Sequence, residues 1–332
     1  MASTIRVGIA GAGFIGAVHA HAYQHIPDVE IVGIADPIAE KAEALAKETN
    51  SRAFSDYEEL LRAGIDILNV CTPPSNHLPA TIAAARAGVH VLMEKPIART
   101  LEEADEMISA CKNANVNLMT GFTHHFYPEM LEAKRLVQSG AIGKPLMVLD
   151  NMSITYSFVL PWYRNRDVAG GGVFMCNAVH GFDRAAWVIE QRVSAVCAQV
   201  EPTTGSRGEE FGAALAKFDG GAQGNFFQHW GPYRTLQCEL QIFGEEGLVH
   251  VRSWDSVELF VGDKRAVTHF YKPDHGLSQR SMLGMINELT EMVNSVREKR
   301  APSVTGEDGR TALANVLAVY ESAATGKWME MK

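Results

Sequence analysis

A glycine-spaced turn near the start of the chain, Gly11-Ala12-Gly13-Phe14-Ile15-Gly16, constrains the fold more than any other feature. The apolar run Val7-Gly8-Ile9-Ala10 leads into it, and Ala17-Val18-His19-Ala20-His21-Ala22 beyond it has helical character. A second apolar run, Ile31-Val32-Gly33-Ile34-Ala35, ends on Asp36, 20 residues after Gly16. Strand, tight turn, helix, second strand and terminal acid together make a dinucleotide-binding fingerprint. Gly11 permits the sharp turn, Gly13 lets backbone N–H groups approach a pyrophosphate, and Gly16 lets the helix lie against the strand. The positive end of the helix dipole then faces the phosphates. A carboxylate at Asp36 accepts hydrogen bonds from the adenosine ribose hydroxyls and repels a 2′-phosphate. Pro37-Ile38-Ala39-Glu40 supplies no cation to offset that repulsion, so NAD is expected over NADP.

Strand and helix patterns alternate through the first part of the chain. Helical segments at 38–49, 56–63, 78–87 and 101–113 separate apolar runs at Ile65–Cys71, Val89–Met93 and Asn117–Thr120. Such alternation specifies a doubly wound parallel sheet, an α/β Rossmann domain over 1–122. Beyond a helix at 128–139 the pattern changes to successive strand-like segments at 146–155, 193–201, 212–219, 222–229, 236–243, 247–252, 256–262 and 265–271. Leu236-Gln237-Cys238-Glu239-Leu240-Gln241-Ile242 alternates strictly, which buries one face and leaves the other polar. Asp219-Gly220-Gly221 and Gly244-Glu245-Glu246-Gly247 suit hairpin turns. Residues 123–332 are therefore expected to form an α+β domain with a large, mainly antiparallel open sheet.

Two constellations carry chemistry. Glu94-Lys95-Pro96 follows a strand of the parallel sheet, and ligands in such sheets bind beyond the strand carboxyl ends. Gly170-Gly171-Gly172 precedes the apolar-periodic run Val173 to Asp183, a chain that approaches something closely and then starts a helix. On a regular helix Cys176, His180 and Asp183 fall at i, i+4 and i+7, on one face.

These motifs, with Cys71-Thr72-Pro73 and the nearby Asn76 and His77, occur in the order found in a known group of proteins. The chain resembles the glucose–fructose oxidoreductase and inositol dehydrogenase-like family of NAD(P)-dependent sugar oxidoreductases. Gly121-Phe122, Phe126-Tyr127-Pro128, Lys134, Gly140, Ile142-Gly143-Lys144-Pro145 and the tail from Pro302 to Trp328 extend the resemblance over nearly the whole chain. It implies that Gly11, Gly13, Phe14, Ile15, Gly16, Asp36, Thr72, Pro73, Asn76, His77, Glu94 and Lys95 serve the cofactor. Lys95 would also contact substrate, with His180 as acid and base. Trp162-Tyr163-Arg164 resembles the family's substrate loop, and His124-His125 stands where relatives often carry a polar or basic pair. In this family an aspartate usually precedes the histidine by four residues; here that position is Cys176. Asn177 is placed to replace some of its hydrogen bonds, and Asp183 to orient His180.

The implied activity is NAD-dependent oxidation of a secondary hydroxyl, or reduction of a keto group, on a sugar, cyclitol or related polyol. Two alternatives remain open: NAD-assisted glycoside cleavage, and a non-catalytic NAD-binding sensor, for which Cys176 is the argument. A net charge of −9 without a basic run argues against a nucleic-acid partner. No stretch approaches the length of a membrane span. The five cysteines lack paired spacing, which suits reduced thiols and a cytoplasmic location, and no metal site is expected. A homodimer or homotetramer is expected through the open sheet.

Overall fold

The computed structural model describes residues 4–232 and 236–331. Contacts divide the chain into two units: residues up to Thr123 with Met282–Arg310, and His124–Ser281 with the chain from Thr311 onward. The division differs from the sequence expectation by the segment 282–310, which belongs with the first unit.

In the first unit, strands and helices alternate in the order β1 (Ile5–Ala10), α1 (Phe14–Tyr23), β2 (Val29–Ala35), α2 (Ala39–Glu48), β3 (Arg52–Phe54) and α3 (Tyr57–Arg62). Then come β4 (Ile67–Val70), α4 (His77–Arg86), β5 (His90–Met93), α5 (Leu101–Ala114) and β6 (Leu118–Thr120). The strands lie in the order β3-β2-β1-β4-β5-β6, and every pair is parallel. Strand order reverses between β1 and β4, the place where such sheets open a crevice. Because the strands are parallel, their carboxyl ends share one edge. Gly11, Asp36, Cys71, Glu94 and Gly121 each follow a strand there. The core is built from residues such as Val7, Ile9, Ile34, Leu68, Val70 and Val91, apolar in unbroken runs as a sheet covered on both faces requires.

The second unit contains α6 (Pro128–Gln138), β7 (Pro145–Thr155), a short α7 (Arg166–Ala169) and α8 (Val179–Ile189). Seven further strands follow, β8 (Val193–Val200), β9 (Phe211–Phe218), β10 (Gln223–Gly231), β11 (Gln237–Gly244), β12 (Gly247–Arg252), β13 (Ser256–Val261) and β14 (Lys264–His269). Helices α9 (Leu277–Arg297) and α10 (Gly306–Thr325) and a short β15 (Met329–Glu330) end the chain. The nine strands form one sheet in the order β14-β13-β12-β11-β7-β10-β9-β8-β15. It is antiparallel except where β10 runs parallel to β7. The expected glycine turns join β9 to β10 and β11 to β12. The chain does not pass from β10 to an adjacent β11, because β7, formed much earlier, lies between them.

Alternation decides which face of this sheet is covered. Phe218, Phe226, Trp230, Leu240 and Ile242 point inward and are buried. Phe182 of α8 stacks on Phe226 with ring centroids 4.1 Å apart, so α8 packs on the buried face. The opposite face carries Met147, Phe211, Leu215 and Phe227, all exposed.

Candidate active site

The candidate cofactor site lies at the carboxyl edge of the parallel sheet. Gly11 has φ of +102°, and a Cβ there would stand 2.7 Å from the Cys71 carbonyl oxygen. A Cβ on Gly16 would stand 1.9 Å from the Gly11 oxygen, whereas one on Gly13 would meet nothing within 4 Å. Two glycines thus close the turn, and the third leaves open backbone at the start of α1, as a pyrophosphate requires. Phe14 is exposed and Ile15 half-buried on the first turn of α1. Asp36 accepts from the Ala12 N–H at 2.8 Å and from the Ile38 N–H at 2.9 Å. Its carboxylate therefore braces the glycine turn while keeping lone pairs for ribose hydroxyls. These residues fit a bound NAD.

Thr72 and Pro73 follow β4 at the same edge, and Asn76 is exposed on the turn before α4. His77 is buried, its ring between the carbonyl oxygens of Thr72 at 2.9 Å and Ile97 at 3.1 Å. It clasps the Thr72 turn to the segment after Lys95, and burial lowers its proton affinity despite those carbonyls.

Behind Lys95 lies a buried cluster of titratable groups that sequence pattern did not reveal. Glu94 accepts from the Lys95 N–H at 3.1 Å and pairs with His19 of α1 at 3.0 Å. Burial opposes ionisation of Glu94, but the His19 hydrogen bond and charge, with Lys95, outweigh it and hold the carboxyl below its ordinary value. Burial likewise opposes the His19 imidazolium, and Cys71 and Glu94 overcome it, raising the imidazole well above its usual range. Glu288 of α9 joins them. A Cβ on Gly121 would stand 3.1 Å from its Oε1 and 3.5 Å from the Glu94 Cα, a tight gap between β6 and α9. Burial, reinforced by the Glu94 charge, pushes the Glu288 carboxyl up to about 7, against the pull of His19, Thr123 and Lys95.

In the second unit the residues singled out in the sequence gather around α8. The triple glycine does approach something closely, and the partner is the chain's own second unit. Gly170 has φ of +86°, a Cβ on Gly171 would meet the Tyr320 hydroxyl at 2.1 Å, and one on Gly172 would meet the Glu209 carbonyl oxygen at 2.0 Å. The buried Glu209 carboxylate accepts from the N–H groups of Gly172 and Phe174, both at 2.9 Å, and from the Tyr320 hydroxyl at 2.8 Å. Burial raises its pKa, against the lowering pull of those donors. A carboxylate at a helix start is stabilised by the dipole as well as by these bonds.

Phe174–Ala178 then forms a π-helical turn, with the Val179 N–H bonded to the Phe174 carbonyl. This corrects the expectation of one regular helical face. A π turn holds more residues than an α turn, so the run from Cys176 to Asp183 is not wound with one uniform period. Cys176 and Asn177 lie in the π turn and are buried, and Asn177 Nδ2 has no hydrogen-bond partner among the described residues. His180 is buried on the first turn of α8, its ring stacked on His124 at 4.6 Å between centroids and 16° between planes.

Asp183 makes an ion pair with His125, at 2.7 Å. The His125 ring in turn stacks on Trp187 at 4.2 Å. In the expected substrate loop, Arg164 donates to Glu210 at 2.6 Å and lies 4.8 Å over the Tyr156 ring. Trp162 meets Tyr163 edge-on at 4.2 Å, and Tyr163 faces Trp230 at 6.1 Å. Arg164 thus anchors this aromatic loop. Glu209, Tyr320, Arg184 and Asp150 support the site and escaped sequence analysis, because single polar residues far apart in sequence leave no periodic signal.

A parallel sheet of this strand order with a glycine fingerprint, continued by an open mixed sheet, defines a two-unit, NAD-dependent oxidoreductase. Residues 5–122 match the oxidoreductase family with an NAD-binding Rossmann fold, and residues 130–250 match the GFO/IDH/MocA C-terminal domain; the chain belongs to this family. It is 27% identical over 319 residues to myo-inositol 2-dehydrogenase of Thermotoga maritima, covering 93% of each chain. It is 29% identical to D-glucoside 3-dehydrogenase of Escherichia coli, covering 99% of this chain and 98% of that one. A solved structure of GenD2 from gentamicin A biosynthesis in complex with NAD superposes with a TM-score of 0.88 at 25% identity, covering 100% and 97% of the two chains. Among the described residues no helix is long and apolar enough to cross a membrane.

The buried acid behind Lys95 has a measurable consequence. A carboxyl raised in the folded state stabilises the fold below its unfolded pKa, and that contribution is lost as pH rises through the folded value. For Glu288 the loss runs from the ordinary carboxyl range up to about 7. Glu288→Gln, which stays neutral, should therefore gain stability relative to the parent as pH rises from about 5 to about 8, by at most roughly 3 kcal/mol. Urea unfolding at both pH values measures it, and an unchanged difference would refute the assignment.

Proposed function

We propose that this protein oxidises a secondary hydroxyl of a sugar, cyclitol or related polyol, or reduces the corresponding ketone, with Lys95 and His180 acting on the substrate oxygen. The observation that carries the reading is Lys95 at the carboxyl edge of the sheet that bears the glycine fingerprint. The relatives named above, a myo-inositol 2-dehydrogenase and a D-glucoside 3-dehydrogenase, act on ring hydroxyls by their names and support the substrate class. Bound NAD supplies the hydride acceptor. The His180 imidazole takes the hydroxyl proton as general base, and the Lys95 ammonium donates to the same oxygen and stabilises its developing negative charge. Glu94 fixes the Lys95 backbone through its N–H. Trp162 and Tyr163 offer aromatic faces suited to a sugar ring, and Asn177 and His124 offer polar contacts. Cys176 takes the place of the carboxylate usual in similar dehydrogenases, so a substrate other than theirs is compatible with this pocket.

Lys95→Ala and His180→Ala should each lower turnover by about 10²–10⁴ on whichever sugar or polyol of a broad panel yields NADH. NADH affinity, from fluorescence titration, should stay within a few-fold, because the glycine turn holds the pyrophosphate. No NADH from any substrate would remove the dehydrogenase reading and leave the NAD-binding sensor. Substrate consumption without NADH accumulation would favour transient oxidation coupled to glycoside cleavage.

We further propose a homodimer or homotetramer assembled through the open sheet face. Its support is the exposure of Phe211, Leu215 and Phe227 along one face of neighbouring strands. Sedimentation should show an oligomer at micromolar concentration, and Leu215→Lys with Phe227→Lys should dissociate it. A parent that is wholly monomeric would exclude this interface.

A further inference from the structure

Two imidazoles lie stacked in the second unit, and either is chemically able to carry the proton that a substrate hydroxyl releases. Their surroundings distinguish them. Arg184 of α8 is fully buried, and its guanidinium donates to His124 Nδ1 at 3.1 Å. It also donates to Asp150 at 2.6 Å, to the Cys238 sulfur at 2.8 Å and to the Glu239 carbonyl at 3.3 Å. A guanidinium has donors only and keeps its charge. Nδ1 of His124 must therefore accept, which puts that ring's proton on Nε2. Protonating His124 would require a hydrogen on Nδ1, set against the Arg184 N–H, and a second positive charge beside a buried first one. Asp150 does not offset that charge, because it already serves Arg184 and accepts from Gln228 at 3.1 Å.

Further titratable and aromatic groups surround Arg184 and the His124 ring. Cys238 and Glu239 reach Arg184 from β11, and Glu239 directs its carboxylate to His250 at 3.3 Å. Tyr127 and Trp254 meet the His124 ring edge-on. His125 is engaged by Asp183.

We propose that Arg184 is a positioning residue that holds His124 as a neutral Nε2–H imidazole, so that a proton taken up by the stacked pair resides on His180. The inference rests on the reading of His180 as the acid and base. It adds that the pair does not share its proton, and that His124 serves as a hydrogen-bond donor instead of a second base. Two closely coupled imidazoles without such a lock would titrate as a pair with shared macroscopic steps.

Nitrogen-15 NMR of the full chain with labelled histidine reads this without turnover. In the parent, His124 should show the Nε2–H tautomer throughout about pH 5.5 to 8.5, while His180 titrates alone. His124 found protonated on Nδ1, or titrating to imidazolium in that range, overturns the proposal whatever the variants do. Arg184→Met should let His124 titrate and add a second ionisation to the pH profile of kcat/KM. The same change made in a His124→Gln background should leave the number of ionisations unaltered; a second ionisation there would also overturn it. Should His180→Ala keep full activity, the functional reading fails, while the tautomer result still decides the role of Arg184.

Discussion

The second unit is organised around one buried ion pair, Arg184 with Asp150. Asp150 lies mid-way along β7, the strand that joins the two halves of the nine-stranded sheet. Both side chains are fully shielded from solvent. Removing one partner of such a pair leaves an uncompensated charge, at a cost of about 3–5 kcal/mol. The pair sets the distance between α8 and the sheet, and a Cβ on Gly181 would stand 2.6 Å from the Asp150 carboxylate. Helix, sheet and the imidazoles beside them therefore form one rigid arrangement. The start of α8 is fixed from the other end by Glu209, whose carboxylate gathers the triple-glycine N–H groups and the Tyr320 hydroxyl.

In the first unit a different constraint does the equivalent work. Parallel pairing brings every strand's carboxyl end to one edge, and function collects there. Asp36 braces the glycine turn from β2, Cys71 crowds it from β4, and Glu94 ties Lys95 to α1 through His19. Glu288 comes from a segment nearly two hundred residues further on, and burial beside Glu94 raises its carboxyl to about 7. Two acids in one cluster are thus driven apart in proton affinity, the ionised one next to the lysine.

How much of this was legible in the sequence follows from how far each signal reaches along the chain. The glycine fingerprint, the Asp36 terminus, the alternating strands and most helix limits are local patterns of period two or 3.6, and the structure follows them. Strand order in the second sheet is not local. Nothing in 146–155 announces that this strand sits between β10 and β11. The return of 282–310 to the first unit is equally silent, because no local pattern says which unit a helix packs against. Lys95 and His180 stood out through their motifs, whereas Arg184, Asp150, Glu209 and Glu288 are isolated polar residues whose partners are distant in sequence. The π turn misled for a related reason. Its wider winding leaves no mark in residue spacing, so the whole run looked like one regular α-helix.

The central claim is that this chain moves a hydride from a ring carbon bearing a hydroxyl to NAD. Isotope tracing tests it directly, and it does so even if the reduced cofactor never leaves the enzyme. Perdeuterated glucose, inositol and a methyl glucoside would be incubated with protein and NAD, and the cofactor recovered under denaturing conditions for mass spectrometry. The account predicts deuterium at the nicotinamide C4 with at least one of them. Recovery of an unlabelled cofactor from every incubation, by a protein that demonstrably binds NAD, would contradict it.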